Sequence, residues 1–178
     1  MKQQLFIFLL LSSLVFSASA QKNEARLIDE FGGLSCGDFE TRMGILRTEL
    51  QHSPGSKIYV LYYGGRFRKE HIWNEKTGSF EKVKLSYPHR KDGLIEAKSI
   101  PLYLTTEETF PAEIRNALKD KIILIDGGFR QETILEIWLV PVGAEMPKAS
   151  PTVNEKDIKF KGKKPLRVPD YTRCGDYA

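Results

Sequence analysis

The sequence predicts one α/β domain in which helices pack on a small mixed sheet. Two apolar runs, 57–63 and 121–126, are rich in β-branched and aromatic residues, and helical segments separate them. A strand, a helical crossover and a second strand of one sheet are expected to be parallel. A third apolar run, 134–141, follows a glycine-bearing link and is expected to return antiparallel. The predicted sheet therefore has two parallel central strands and one antiparallel strand.

The first 20 residues have the pattern of a secretory signal peptide. A basic start at Lys2 precedes an apolar core from Leu5 to Phe16, and small residues end the segment at Ala20. The apolar core is shorter than the roughly 20 residues that cross a bilayer as a helix. The sequence therefore predicts an exported protein, periplasmic or secreted, that is cleaved before Gln21. A retained membrane anchor is the alternative.

Composition divides the rest of the chain into a domain, 21–141, and a Pro-rich basic extended tail, 142–178. The formal net charge of the whole chain is +4, which is too mild to predict nucleic-acid binding. Within the tail, 156–161 alternates polar and apolar residues and predicts an edge strand. The basic tail is typical of a solvated surface strand; the alternative is contact with an anionic cell-envelope polymer or phospholipid headgroups, and another envelope protein is the other expected partner.

Three helices are predicted, over 38–52, 93–104 and 111–119. Ser35, followed three residues later by an acidic residue, is typical of a helix N-cap, and Pro111 suits the first position of the third helix. The first helix has its apolar residues at helical spacing, at Phe39, Met43, Leu46 and Leu50.

Two further β segments complete the predicted domain. Residues 26–31 predict a short edge strand ahead of the first helix. The basic excursion 66–91 contains Thr77-Gly78, which predicts a turn joining 72–73 to 80–87.

The chain has two cysteines, Cys36 and Cys174. In an exported protein an even pair predicts a disulfide, which here would tie the tail to the first helix. Closing so long a loop stabilises by about 4–5 kcal/mol in the chain-entropy model. The sequence has no Cys or His spacing typical of a metal site, and it predicts no cofactor.

Gly-Gly pairs follow both predicted parallel strands. Ligands of open α/β sheets bind at the carboxyl ends of the strands, glycines allow a close backbone approach, and arginines bind anions through paired N–H groups. The alternative is that these are tight turns with solvated arginines. The candidate ligand-binding residues are Arg66, Arg68, Asp126, Gly127, Gly128 and Arg130.

Residues 33–37, Gly-Leu-Ser-Cys-Gly, match the G-x-S-x-G nucleophile elbow of hydrolases. The motif precedes the first strong strand, and all three histidines lie before position 90. We therefore interpret Ser35 as a helix cap and predict no catalytic residue. A small secreted hydrolase using Ser35 or Asp126 is the alternative.

Several motifs together resemble a family of small uncharacterised exported bacterial proteins. They are Asp-Glu-Phe-Gly at 29–32 with Cys36, Tyr-Tyr-Gly-Gly at 62–65, Asp-Gly-Gly-Phe-Arg at 126–130, Glu-Ile-Trp-Leu-Val-Pro at 136–141 and Pro-Thr-Val at 151–153. The resemblance covers 25–65 and 93–153, and it implies export but no particular reaction.

The predicted architecture is also similar to the C-terminal OmpA-like domain, which holds peptidoglycan through an Asp and an Arg. The chain has no clear equivalent of the N-x-x-L-S-x-x-R-A helix of that domain, and residues 95–98 lack its Arg. Peptidoglycan binding is thus implied by architecture alone. Taken together, these patterns predict an exported, non-catalytic protein with a binding or structural role.

Overall fold

The computed structural model describes residues 23–74, 79–106 and 112–162. The described chain contains both strands and helices, and the mixed α/β class that the sequence predicts is confirmed. The elements are β1 (Arg26–Phe31), α1 (Cys36–His52), β2 (Lys57–Asn74), β3 (Ser79–Ser86), α2 (Asp92–Thr106), α3 (Ala112–Lys119), β4 (Ile122–Glu132) and β5 (Ile134–Val140).

The five strands form one sheet around β2. The order is β1-β5-β2-β3, and β4 also pairs with β2. The β1–β5, β5–β2 and β2–β3 pairs are antiparallel, while β4 lies parallel to β2 with Ile58 opposite Ile122. The sheet is therefore mainly antiparallel. The prediction of two parallel central strands is not supported, because among the described strands β4 pairs only with β2.

Strands β2 and β4 both run further than the sequence predicts. After Tyr63, where its pairing with β5 ends, β2 stays paired with β4 as far as Phe67 and then pairs with β3 from Arg68 to Asn74. The predicted hairpin thus forms, although its turn at 75–78 lies outside the described residues. The predicted glycine link after 121–126 is wrong, because Asp126 to Arg130 are themselves residues of β4.

One face of the sheet carries the apolar core. The four predicted apolar residues of α1 are buried there, together with Ile58 and Val60 of β2 and Ile100 of α2. Ser35 caps α1 as predicted, since its Oγ accepts from Asp38 N at 3.3 Å. The predicted third helix is also present, beginning at Ala112 within the described part.

The segment after β5 is held against the sheet. The predicted strand at 156–161 is wrong, because Glu155–Asp157 forms a short 3-10 helix instead. The N–H groups of Thr152 and Val153 both donate to Phe129 O, at 2.9 and 3.1 Å, and Lys161 N donates to Pro88 O at 2.8 Å. We call residues 150–161 the C-terminal strap.

Two predictions fall on residues outside the described part. Cys36 opens α1 and is not a free cysteine, but its expected partner Cys174 lies outside the described ranges. The signal peptide at 1–20 lies outside them as well, so the disulfide and the cleavage before Gln21 stay predictions. Among the helices that the structure does describe, none has the length and apolar character needed to cross a membrane.

Candidate functional site

A bulge in β4 divides the Asp126–Arg130 motif between two faces of the sheet. Asp126 lies opposite Tyr62, but Gly128 rather than Gly127 lies opposite Tyr63. In a regular strand residues four apart share a face, whereas one extra residue reverses the alternation. Asp126 and Arg130 therefore face opposite sides, and the motif contributes to two separate polar clusters.

The first cluster surrounds Arg130, on the face opposite to Val60. Its guanidinium carbon lies 3.8 Å from the centroid of the Tyr63 ring, and the group donates to Glu136 and, at 3.3 Å, to Glu30. Glu136 is buried, and it also accepts from Tyr63 Oη at 3.3 Å.

Residues of β5 and the strap complete this cluster. Trp138 Nε1 donates to Glu136 at 3.0 Å. Arg130 Nη2 lies 2.6 Å from Ser150 Oγ, and Ser150 N donates to Tyr63 Oη at 3.2 Å. Burial alone would lower the pKa of Arg130, but the hydrogen bond and charge of Glu136 raise it above its ordinary value. Arg130 is therefore held by the protein itself, and we name this cluster the Arg130 network.

The second cluster lines a cleft of about 380 Å³ on the other face. The cleft lies where β2 and β4 meet the start of α2, and the strap forms a further wall. Its polar side chains come from β2, from β4, from the residues leading into α2 and from the strap, and they are Tyr62, Asp126, His89, Arg90, Lys91, Asp92 and Glu155.

The start of α2 is brought close to β2 by a glycine. A Cβ on Gly93 would lie 2.9 Å from Tyr63 O, so only glycine fits this approach without a shift. Lys91, two residues earlier, has a φ of 70°, a left-handed conformation that non-glycine residues adopt at a cost. Such backbone strain is concentrated at functional sites.

Asp92 is the most distinctive group of the cleft. The residue is only 4% exposed, and its Oδ2 accepts from His89 N at 2.8 Å and lies 3.8 Å from Arg68 Nη1. Within the described part, its buried Oδ1 and both buried ring nitrogens of His89 have no hydrogen-bond partner. Buried polar groups are nearly always paired, and an unpaired one costs about 1–3 kcal/mol.

Two groups around the cleft, the phenol of Tyr62 and the carboxyl of Glu96, have raised pKa values. Burial, and then the charge and hydrogen bond of Asp126, raise the pKa of Tyr62, so its hydroxyl stays protonated. Asp126 is fixed in turn, since its Oδ1 accepts from Gly128 N at 2.9 Å. Burial also raises the pKa of Glu96; the charge of Arg68 opposes this rise and that of Asp92 adds to it.

The structure separates the six predicted ligand-binding residues. Asp126 and Gly128 line the cleft, whereas Arg68 stands beside Asp92. Arg66 is exposed beside the ring of the next residue in the chain, and Gly127 packs against the other face.

The packing of Gly127 explains its place, because a Cβ there would lie 2.4 Å from the Tyr63 ring. Arg130 belongs to its own network.

Two residues of the cleft, His89 and Asp92, were not predicted from the sequence. The available signal was an acidic residue followed by a glycine, Asp92 and Gly93, at the start of a helix.

Ser35 has the geometry of a cap. Besides accepting from Asp38 N, its Oγ donates to Asp38 Oδ2 at 2.6 Å. No histidine is among its bonded partners in the described ranges. Nor do these ranges contain a group of three or more His, Cys, Asp and Glu placed to hold a metal ion.

No protein-family model, curated protein or solved structure matches the chain.

Proposed function

We propose that this is an exported, non-catalytic binding protein of the cell envelope or the secreted fraction, and that its ligand occupies the cleft. The observation that carries the proposal is the buried Asp92, whose Oδ1 has no partner among the described residues although it belongs to a cleft wall. A convergent set of polar groups in a concave pocket is the usual form of a binding site.

The position of the cleft supports this proposal. Tyr62 and Asp126 lie opposite each other in the middle of the paired part of β2 and β4, beside the bulge, and the first turn of α2 faces them. The first N–H groups of a helix have no acceptor within the helix; in α2 that of Asp92 donates to His89 O at 3.3 Å, which leaves those of Gly93 and Leu94 to a ligand.

The contacts of Ser35 lend no support to the hydrolase alternative. Its hydroxyl is engaged with Asp38, whereas a nucleophile needs a base within hydrogen-bond reach. Asp126 is bonded to the backbone N–H of Gly128 and pairs with the protonated Tyr62. These contacts support a binding role.

Co-sedimentation of the purified mature chain with isolated cell-wall sacculi tests the envelope role. We expect the native chain to sediment, and Asp92→Asn to reduce the bound fraction at least tenfold. Asp120→Asn is the matched control, because Asp120 is exposed at the opposite end of β4. A native chain that stays in the supernatant contradicts envelope binding, and equal sedimentation of the two variants contradicts the cleft as the site.

A further inference from the structure

We infer that the cleft binds a neutral, hydroxyl-rich ligand, a saccharide of one or two rings. This inference rests on the proposed function and specifies the ligand of the same site. It follows from the charge balance of the walls, from the unpaired hydrogen-bonding groups and from the aromatic residues that line the cleft.

The charges around the cleft compensate one another. Arg90 is ion-paired with Glu155, and Arg68 lies beside Asp92. Asp126 and Lys91 remain on the lining with opposite charges, and burial raises the pKa of the nearby Glu96, which favours its neutral form. A charged ligand would therefore bring an uncompensated charge into a partly buried site, which is costly. A neutral ligand has no such penalty.

The unpaired groups of the cleft include both donors and acceptors. Asp92 Oδ1 is an acceptor, and the ring of a neutral His89 offers one donor and one acceptor. In the first turn of α2, Asp92 N already donates to His89 O at 3.3 Å, and the N–H groups of Gly93 and Leu94 are the further donors. A hydroxyl group both donates and accepts, so adjacent hydroxyls of a sugar match this set. An ammonium group only donates, and a carboxylate only accepts.

The start of α2 is a poor site for an anion despite its N–H groups. The positive end of a helix dipole attracts negative charge, but Asp92 already supplies a carboxylate in this first turn. A second negative charge there would be repelled by it. An anionic ligand is therefore disfavoured at this position.

The remaining walls suit a sugar ring. Tyr62 and Phe129 line the cleft and offer aromatic surface for the C–H groups of a pyranose. The strap is held near them, because Phe160 meets Phe129 edge-on at 5.9 Å. The Arg90–Glu155 ion pair of the cleft wall is exposed and contributes about 0–1 kcal/mol, so a ligand can displace it at little cost.

Titration of the isotope-labelled mature chain with matched disaccharides, followed by amide NMR shifts, tests this inference. The probes are two neutral sugars, diacetylchitobiose and cellobiose, and two charged counterparts, the dication chitobiose and the anion cellobiuronate. We expect at least one neutral sugar to shift the amides of Gly93 and Gly128, and each charged counterpart to bind at least tenfold more weakly. Asp92→Asn should weaken the neutral sugar at least tenfold, and Asp120→Asn should leave its affinity unchanged.

The outcomes separate this inference from the proposed function. Stronger binding of a charged sugar at the same amides overturns the neutral-ligand inference and leaves the cleft as a binding site. Shifts that lie elsewhere and persist in Asp92→Asn overturn the cleft itself. Absence of any shift with both neutral sugars at millimolar concentration also overturns the inference, whatever the sacculi experiment shows.

Discussion

The two faces of the sheet beside β4 each have a buried acidic side chain, but the two acids differ in their hydrogen bonding. On one face Glu136 is buried and accepts from Arg130, Trp138 and Tyr63. On the other face Asp92 is equally buried, yet one of its oxygens has no partner among the described residues. Burial of an acid therefore does not by itself identify a binding site. A buried acid whose hydrogen bonds are incomplete does.

The difference arises from the number of donors within reach. Arg130 presents several N–H groups to Glu136, Glu30 and Ser150 at once. Arg68 contacts Asp92 only at 3.8 Å, beyond hydrogen-bond distance. The Arg130 network therefore stabilises the fold, whereas the cleft retains unpaired groups for a ligand.

The largest effect is expected from breaking the Arg130 network. Arg130→Ala leaves the buried carboxylate of Glu136 without its cation, and we expect a loss of about 3–5 kcal/mol in the free energy of unfolding. Denaturant titration of the purified mature chain measures this loss. Arg90→Ala is the control, because the exposed Arg90–Glu155 pair should contribute only about 0–1 kcal/mol. Equal losses in the two variants would contradict the structural role of the network.

The second largest effect on stability is expected from a substitution in the β4 bulge, which separates the two clusters. Gly128 has a φ of 86°, and a Cβ there would also lie 3.1 Å from Pro151. We expect Gly128→Ala to lower the free energy of unfolding by about 1–2 kcal/mol, since L-residues are disfavoured in this conformation. Gly44→Ala in α1 is the control with opposite sign: a Cβ there meets nothing, and alanine should stabilise the helix by about 0.5–1 kcal/mol. A neutral or stabilising Gly128→Ala would show that the bulge tolerates a side chain.

A third variant changes the N-cap of α1, which belongs to neither the Arg130 network nor the cleft. Ser35→Ala removes the cap of α1, and we expect it to cost about 1 kcal/mol in thermal or denaturant unfolding. Ligand affinity in the cleft should not change. A Ser35→Ala protein with native stability but lost ligand binding would revive the proposal of a functional serine.

The smallest effect is a pH dependence on the cleft side. Burial raises the pKa of Glu96, with Arg68 opposing and Asp92 adding to the rise. A folded state with a raised pKa binds the proton more tightly, so this stabilisation is complete below the unfolded pKa and is lost as the pH rises through the folded pKa. The free energy of unfolding of the native chain, relative to Glu96→Gln, should therefore fall as the pH rises through that window. Denaturant titrations of both proteins between about pH 4 and about pH 7 measure the difference, and one that grows with pH would contradict the assignment.

Much of the fold was predictable because local patterns decide it. The α1 stripe that begins at Phe39, the cap at Ser35 and the apolar run of β5 are each settled by neighbouring residues. The length of β2 was not predictable, because its second half, up to Asn74, is stabilised by pairing with β3 rather than by apolar alternation.

The candidate site was predictable only in part. The glycines after Asp126 suggested a turn, but they form a bulge whose effect depends on the register with β2. That register decides that Asp126 joins the cleft and Arg130 does not. The place of Asp92 depends on a crossover that brings the start of α2 against Tyr63 of β2, and no local pattern shows this approach.

The strap has a consequence for how the protein meets other chains. An edge strand exposes unpaired N–H and C=O groups that can recruit a strand from another molecule. At Phe129 the strap supplies two N–H donors to the carbonyl, and Pro151 lies against Gly128. We expect a chain without the strap to expose this part of β4 as a template for edge-to-edge aggregation.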